Sequence, residues 1–433
     1  MRENLPVTAK ILNNGHLNIG GLDISSLAEE FGTPLYILDE ATIRERCREY
    51  KTIFRSKYPN TEIIYASKAL CSTGVLKIIE DEGLGVDVVS GGELYTALMA
   101  GCDPKKIYFH GNAKSPNEIE EAFKAGVNRI VVDNFDELKV IDEVSHKAGI
   151  SADILFRVNP GIEAHTHEFI QTGKIDSKFG ISKERVLEGV LLAQKLNNVN
   201  FKGLHAHIGS QVLDVAPYKK LVEIMLILCS EIFNSTKFEV EELNIGGGLG
   251  ITYVDEAPPD INTLAEAVCS TLRDKCKEFS IPEPKLILEP GRSIVGRAGV
   301  TAYRVRGIKD IPGVRKYVML DGGMGDNIRP MLYGAKYDAV LGNRANGKDK
   351  EPVTLAGRFC ESGDVLIKDV SLPKVEINDV LVVLCTGAYN YSMASNYNRV
   401  GRPAMVLVSD GDANIIVKRE SYEDLTSNDV IVE

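Results

Sequence analysis

Lys68 stands in the run Tyr65-Ala66-Ser67-Lys68-Ala69, just past a β-branched stretch that reads as a strand. A lysine there can be partly desolvated. That lowers its pKa and makes its amine a nucleophile able to form a Schiff base. The plain alternative is a solvated loop lysine, and Lys68 alone does not separate the two. A second run, His205-Ala206-His207-Ile208-Gly209-Ser210-Gln211, puts two imidazoles on one face of a strand, because alternate residues point the same way. His207, at the strand mouth, suits stacking on a ring or binding a metal; His205 reads as a core histidine. Ser210 offers a hydroxyl, and Gly209 lets backbone come close. A third run, Gly246-Gly247-Gly248, lets backbone N–H groups approach an anion. It does not complete a G-x-G-x-x-G pattern, since Ile251 holds the sixth place and a turn-rich stretch follows instead of a helix. The fourth run is Glu289-Pro290-Gly291-Arg292. Its carboxylate suits a cationic ring nitrogen and its arginine a carboxylate or phosphate; a surface ion pair is the alternative.

These runs act together only if the fold gathers them. Short β-branched stretches alternate with helical patterns between residues 62 and 290. Strands are expected at 62–66, 86–89, 106–109, 129–132, 152–158, 201–206, 240–245 and 285–289. Helices are expected at 73–82, 93–100, 116–125, 135–147, 183–195, 218–233 and 261–279. The helix from Pro116 shows its start clearly, with Ser115 as N-cap, proline at the first position and Glu118 three residues after the cap. Eight alternating strands point to a (β/α)8 barrel over residues 35–290; a doubly wound open sheet also alternates. In a barrel of this kind the active site lies at the C-terminal strand ends. All four runs then share one rim: a lysine, a stacking imidazole, an anion cradle and an acidic partner. That set matches pyridoxal 5'-phosphate, whose ring is an electron sink while an acid keeps its nitrogen protonated.

After Glu289 the helices cease. Strand patterns near 300–307, 317–320, 353–355, 365–368, 380–384, 404–408 and 414–418 are punctuated by Asp-Gly, Pro-Gly and Asn-Gly pairs. This is a β-rich domain of residues 291–433, joined by the hairpin signal within 1–34. Of the 433 residues 44% are hydrophobic and 26% charged, an ordinary soluble balance. A net charge of −11 without a basic stripe argues against nucleic acid. No apolar stretch approaches the roughly 20 residues a bilayer needs, and the opening Met1-Arg-Glu-Asn-Leu-Pro lacks the core of a signal peptide. The eight cysteines form no C-x-x-C pair, which points to free thiols in a reducing cytoplasm.

With these runs in place the chain resembles the diaminopimelate decarboxylase family, in the alanine-racemase-like, fold-type III group of pyridoxal-phosphate enzymes. The resemblance rests on the four runs above and on Val86–Leu94, Phe109-His-Gly-Asn112, Arg157-Val-Asn-Pro-Gly161, Ala164-His-Thr-His167 and Lys178-Phe-Gly180. It continues through Arg329-Pro-Met-Leu-Tyr333, Cys360-Glu-Ser-Gly-Asp364 and Gly387-Ala-Tyr389. It implies roles by position. Lys68 is the Schiff-base lysine, and His207 stacks on the ring. Ser210 and Gly246, Gly247 and Gly248 hold the phosphate, with Gly291 and Arg292 beside them, and Glu289 faces the ring nitrogen. Asp87 and Arg157 support the cofactor from behind, and Tyr389 reaches both phosphate and substrate. Arg292, Arg329, Tyr333 and Glu361 bind the substrate, and Cys360 donates a proton. The Cys-Glu segment comes from the partner subunit in this family, which implies a homodimer with shared active sites. The implied reaction converts meso-2,6-diaminopimelate to L-lysine and CO2, the last step of lysine biosynthesis. Where the family often has Gly-Pro before that segment, this chain has Arg358-Phe359, which alters the approach to Cys360.

Three other readings stand beside it. A metal-dependent hydrolase would use the His-x-His pairs 165/167 and 205/207 with Glu289, but leaves Lys68 and the glycines idle. A pyridoxal-phosphate carrier leaves Arg329, Tyr333 and Cys360 unexplained. A related decarboxylase of ornithine, arginine or carboxynorspermidine, or a racemase, would keep the barrel chemistry and change the substrate.

Overall fold

The computed structural model describes residues 3–127, 129–162 and 177–432. It resolves into two compact units. One comprises Arg46–Gly250 and Ala257–Ser293. Its eight barrel strands are β1 (Thr61–Ala66), β2 (Gly85–Val88), β3 (Ile107–Phe109), β4 (Arg129–Val132), β5 (Ala152–Asn159), β6 (Val199–His205), β7 (Glu242–Asn244) and β8 (Lys285–Leu288). Each pairs in parallel with its neighbours, and β8 returns to β1 through Ile287 opposite Glu62, closing a barrel. The expected (β/α)8 architecture is therefore present. Ile64, Tyr108, Val131, Leu155 and Ile287, from five strands, pack into one buried cluster, as a filled barrel requires.

The helix Pro116–Lys124 starts as its sequence dictates. Ser115 accepts from the Glu118 N–H while the Glu118 carboxylate caps the Ser115 N–H, a reciprocal capping box. Gly149 ends the helix Phe135–Ala148 at φ 68°, a left-handed turn that glycine adopts without strain.

The other unit gathers the chain up to Glu45, Ile251–Glu256 and everything from Ile294. Its main sheet runs Val365–Pro373, Lys350–Ala356, Arg315–Leu320, Gly299–Ile311, Leu35–Asp39, Ala404–Ser409 and Asp412–Val417. Val380–Val383 pairs with Gly299–Ile311 and with Ala339–Leu341. Two apolar clusters fill it, one around Leu17, Ile37 and Val406, the other around Tyr303, Leu355 and Leu381. The expected sheet-rich partner is present, with one difference at its edge. Leu35–Asp39, expected within the barrel domain, pairs instead with Gly299–Ile311 and Ala404–Ser409. Its five residues are all buried, so its apolar run carries no alternation that would tell one sheet from another.

Candidate active site

The glycine run follows β7 and is shaped by contacts that no side chain would allow. A Cβ on Gly247 would lie 2.0 Å from the Glu289 carbonyl oxygen, and one on Gly248 would lie 2.3 Å from that of Gly209. Gly248 also sits at φ 109° and Gly209 at φ 130°, in the left-handed region. Around this backbone the Gly247 N–H donates to His207 Nδ1 at 3.3 Å and Val212 N–H to the Gly248 carbonyl at 2.9 Å. Arg292 Nη2 donates to Ser210 Oγ at 3.0 Å. Ser210, Arg292 and the glycines thus sit in loops after β6, β8 and β7 on one rim. Backbone this open, with a hydroxyl and a guanidinium bonded beside it, fits a phosphate. Gly247→Ala is expected to weaken pyridoxal-phosphate binding about tenfold to a hundredfold. The forced methyl costs about 1–3 kcal/mol, and each 1.4 kcal/mol is tenfold in affinity. Cofactor titration of the apo-protein checks this; unchanged affinity would detach the glycines from the phosphate.

Lys68 lies in the single turn Ser67–Ala69 after β1. Ala66 N–H donates to the Pro290 carbonyl at 3.0 Å, and Gly291 packs so closely that a Cβ there would be 3.0 Å from Ala66 Cβ and 3.1 Å from Ala69 Cβ. The lysine turn is thereby locked to the loop after β8. The Lys68 charge acts on both Asp87 and His207. Asp87, buried at the end of β2, is pushed up to about 6 by desolvation, against the pull of Lys68 and His110. His207 is held well below the ordinary imidazole range by burial first, then by the cations Lys68 and Arg157. It is a neutral ring accepting at Nδ1, which assigns its proton to Nε2. A neutral imidazole suits stacking on a ring.

Glu289 lies at the far side of the same rim, 5% exposed. Burial alone would raise its pKa; His110 and His205 outweigh this and hold it well below the usual carboxylate range. Asn244 Nδ2 donates to Oε1 at 2.7 Å, His110 Nε2 lies 2.8 Å from Oε1, and His205 Nε2 lies 3.2 Å from Oε2. His205 itself is lowered to about 4 by burial and so stays neutral. It is a core histidine, as expected, but one bonded to the site's carboxylate. Sequence reasoning gave His110 and Asn244 no role. The Phe109-His-Gly-Asn112 run was the available signal for His110, and for Asn244 there was none.

Arg157, at the end of β5, stacks over Phe179 at 4.3 Å and faces Asp133, Glu289 and Asp87 electrostatically. Asp133 accepts from Gly180 N–H at 3.0 Å, and its own N–H donates to Glu137 at 2.7 Å. Glu137 pairs with Lys114 Nζ at 2.9 Å, with side chains 5% and 1% exposed. Lys114 Nζ also donates to the Gly111 and Val131 carbonyls, tying the ends of β3 and β4. Breaking a buried pair strands the remaining charge. Lys114→Met is therefore expected to destabilise the fold by about 3–5 kcal/mol, read as a lowered denaturation midpoint. A change under about 1 kcal/mol would mean that Glu137 finds another donor.

Among the described residues, one group could hold a metal: His110, His205 and Glu289, whose ligand atoms lie within 4.8 Å of one another. His207, needed by the hydrolase reading, instead binds the glycine run. The Ala164-His-Thr-His167 run lies outside the described residues.

The remaining expected residues gather within the sheet-rich unit. Arg329 is buried, with Nε donating to Tyr337 OH at 3.0 Å, and Tyr337 donates on to Asn390 at 3.2 Å. The Arg329 guanidinium lies 5.2 Å from the Tyr333 ring and 5.6 Å from that of Tyr389. Cys360 is exposed, and its N–H donates to Asn398 Oδ1 at 2.9 Å. Glu361, also exposed, accepts from Tyr397 OH at 2.6 Å. Phe359 is buried against Gly325, where a Cβ would come within 2.3 Å of its ring, and its N–H donates to Asp364 at 2.8 Å. The Arg358-Phe359 departure thus anchors the Cys360 loop through an aromatic plug.

Comparison with known proteins agrees with this fold. Residues 40–296 match the family model described as pyridoxal-dependent decarboxylase, pyridoxal binding domain. The chain is 48% identical to a diaminopimelate decarboxylase of Synechocystis sp., covering 99% of this chain and 93% of that one. It is 46% identical to one of Bacillus subtilis, covering 98% and 97%. Among solved structures it superposes on a diaminopimelate decarboxylase of M. jannaschii in complex with L-lysine, with a TM-score of 0.93, 38% identity, and coverage of 100% and 99%.

Proposed function

From the premise that the chain belongs to the pyridoxal-dependent decarboxylases, and among them to the diaminopimelate decarboxylases, we propose that it converts meso-2,6-diaminopimelate to L-lysine and CO2. The observation that carries the reading is the single rim on which Lys68, Asp87, His207, the glycine run and Glu289 converge. Bound pyridoxal phosphate supplies an electron sink for the pair left when CO2 departs. Lys68 would hold it covalently through Nζ. Glu289, kept anionic, would hold the proton on the ring nitrogen, and His207 would stack against the ring. Ser210, the glycine run and Arg292 fix the phosphate, with Tyr389 assigned beside it. Asp87 and Arg157 support the ring. Cys360 delivers a proton from Sγ to the carbon that has lost CO2. Arg329, Tyr333 and Glu361 bind the substrate end that does not react, which carries both a carboxylate and an ammonium.

The assembly belongs to the same proposal. The sheet-rich unit contributes substrate and dimer-interface residues, and Cys360 and Glu361 act in the active site of the partner subunit. Co-expressed Lys68→Ala and Cys360→Ala chains, each inactive alone, then regain part of the wild-type turnover, because mixed dimers hold one intact site. Turnover absent from the mixture would place Cys360 in its own subunit's site. None of the eight cysteines forms a disulfide, which accords with the cytoplasm.

The experiment for the whole reading is CO2 release by the cofactor-loaded protein, offered meso-diaminopimelate, ornithine and arginine in parallel. Release from the first alone, with lysine as product, is expected. Release from ornithine or arginine would overturn the roles of Arg329 and Glu361. Silence on all three would overturn the reaction.

A further inference from the structure

Glu289 is surrounded by more donors than an ion pair needs. Asn244 and His110 reach Oε1, and His205 reaches Oε2. A carboxylate accepts about four hydrogen bonds; Asn244 and His205 supply two, His110 Nε2 lies 2.8 Å from Oε1 as an ion-pair contact outside good hydrogen-bond geometry, and the open direction on Oε2 suits a protonated ring nitrogen. We propose that His110 is a positioning residue: by holding Oε1 together with Asn244, it fixes the orientation of the Glu289 carboxylate and turns Oε2 to the ring of the cofactor. This rests on the reading that Glu289 faces that ring.

The anchoring of His110 supports the role. Its backbone N–H donates to the Val88 carbonyl at 2.7 Å, which fixes it to β2 as well as to β3. Its ring meets that of His205 edge to face, 4.8 Å between centroids at 76°, so each imidazole restrains the other. With its proton on Nε2, His205 donates to Oε2 as a neutral ring, and its Nδ1 has no hydrogen-bond partner among the described residues. Asn244 extends the clamp, since its Oδ1 accepts from Gly246 N–H at 2.9 Å. One side chain thus ties the carboxylate to the first glycine of the phosphate loop. The other charged or titratable groups in the field of Glu289 are Arg157, Asp87 and His207. Without the clamp, a carboxylate this buried favours its neutral form.

The test compares His110→Phe, His110→Gln and Glu289→Gln in the full-length protein. It reads the pyridoxal-phosphate affinity of the apo-protein and the pH midpoint of the bound cofactor's visible absorption. Hydrogen bonds to charged groups correspond to about 10- to 100-fold in an equilibrium. His110→Phe is expected to weaken cofactor binding by that factor and to move the midpoint in the same direction as Glu289→Gln. His110→Gln, which restores a donor, should bring both readings back to within about threefold. If Glu289→Gln moves both readings and His110→Phe moves neither, His110 has no positioning role although Glu289 faces the ring. If Glu289→Gln moves neither, the ring contact itself is wrong and the proposal falls with it. Failure of His110→Gln to rescue would overturn the donor argument in favour of ring bulk. Should His110→Phe not fold, Asn244→Ser removes the other donor to Oε1, and a wild-type titration in that variant overturns the proposal.

Discussion

Lys68→Ala loses the visible absorption of the lysine-bound cofactor, and its CO2 release falls by at least about 10²–10⁴-fold, the range for one positioned proton-transfer group. The lost covalent attachment adds to this. The turn that carries Lys68 is fixed by the Ala66–Pro290 hydrogen bond and by the contact of Gly291 with Ala66 and Ala69. Neither involves the lysine side chain, so the variant should fold and still bind the phosphate end. The measurement is an absorption spectrum of the loaded variant beside its turnover. A retained band at wild-type position would remove Lys68 from the chemistry. A lost band with lost phosphate binding would instead mean that the turn had collapsed. Because the Lys68 charge helps hold down both Asp87 and the protonation of His207, the alanine variant also leaves Asp87 further toward its neutral form.

Arg329→Leu separates substrates. Its guanidinium is buried, bonded through Nε to Tyr337, and flanked by the rings of Tyr333 and Tyr389. Aromatic flanks and a tyrosine acceptor preserve its charge without neutralising it, so it remains able to meet a carboxylate. Truncating one partner of a buried charge pair costs about 2–5 kcal/mol, or about 30- to 4,000-fold. The kcat/KM for meso-diaminopimelate should fall by that factor. Any turnover of ornithine, whose far end has no carboxylate, should hold or rise, because leucine removes the penalty of an unmatched buried cation. Equal losses on both substrates would show that Arg329 serves the fold through Tyr337 and Asn390, and does not select.

What the sequence made legible follows from how each feature is built. Barrel strands buried on both faces read as continuous β-branched runs, so all eight were found within a few residues of their observed ends. The glycine run was legible because consecutive glycines after a strand have little other use. The helix Glu40–Lys57 was overlooked although Ile43, Cys47, Tyr50 and Phe54, all buried, mark a helical stripe through a charged segment. The clamp on Glu289 was beyond reach for a different reason. Asn244 lies 45 residues from the carboxylate it serves and His205 lies 84, and a lone polar residue in a strand gives no hint of its partner. Sequence spacing reports what is near along the chain, whereas a closed barrel joins ends that are far apart.

That closure has a consequence for how the protein comes to life on the ribosome. Lys68, Asp87, His110 and Arg157 are made early, but Glu289 and the Pro290 carbonyl that steadies the lysine turn belong to the last barrel strand and its loop. A nascent chain short of residue 285 has the nucleophile and no ring partner, an open sheet edge at β1 and β7, and half of a phosphate loop that Gly247 cannot yet brace against the Glu289 carbonyl. Cofactor capture is therefore a late event in synthesis. It reports that the ring of strands has shut, and a chain stalled before that point carries a reactive lysine with nothing to hold.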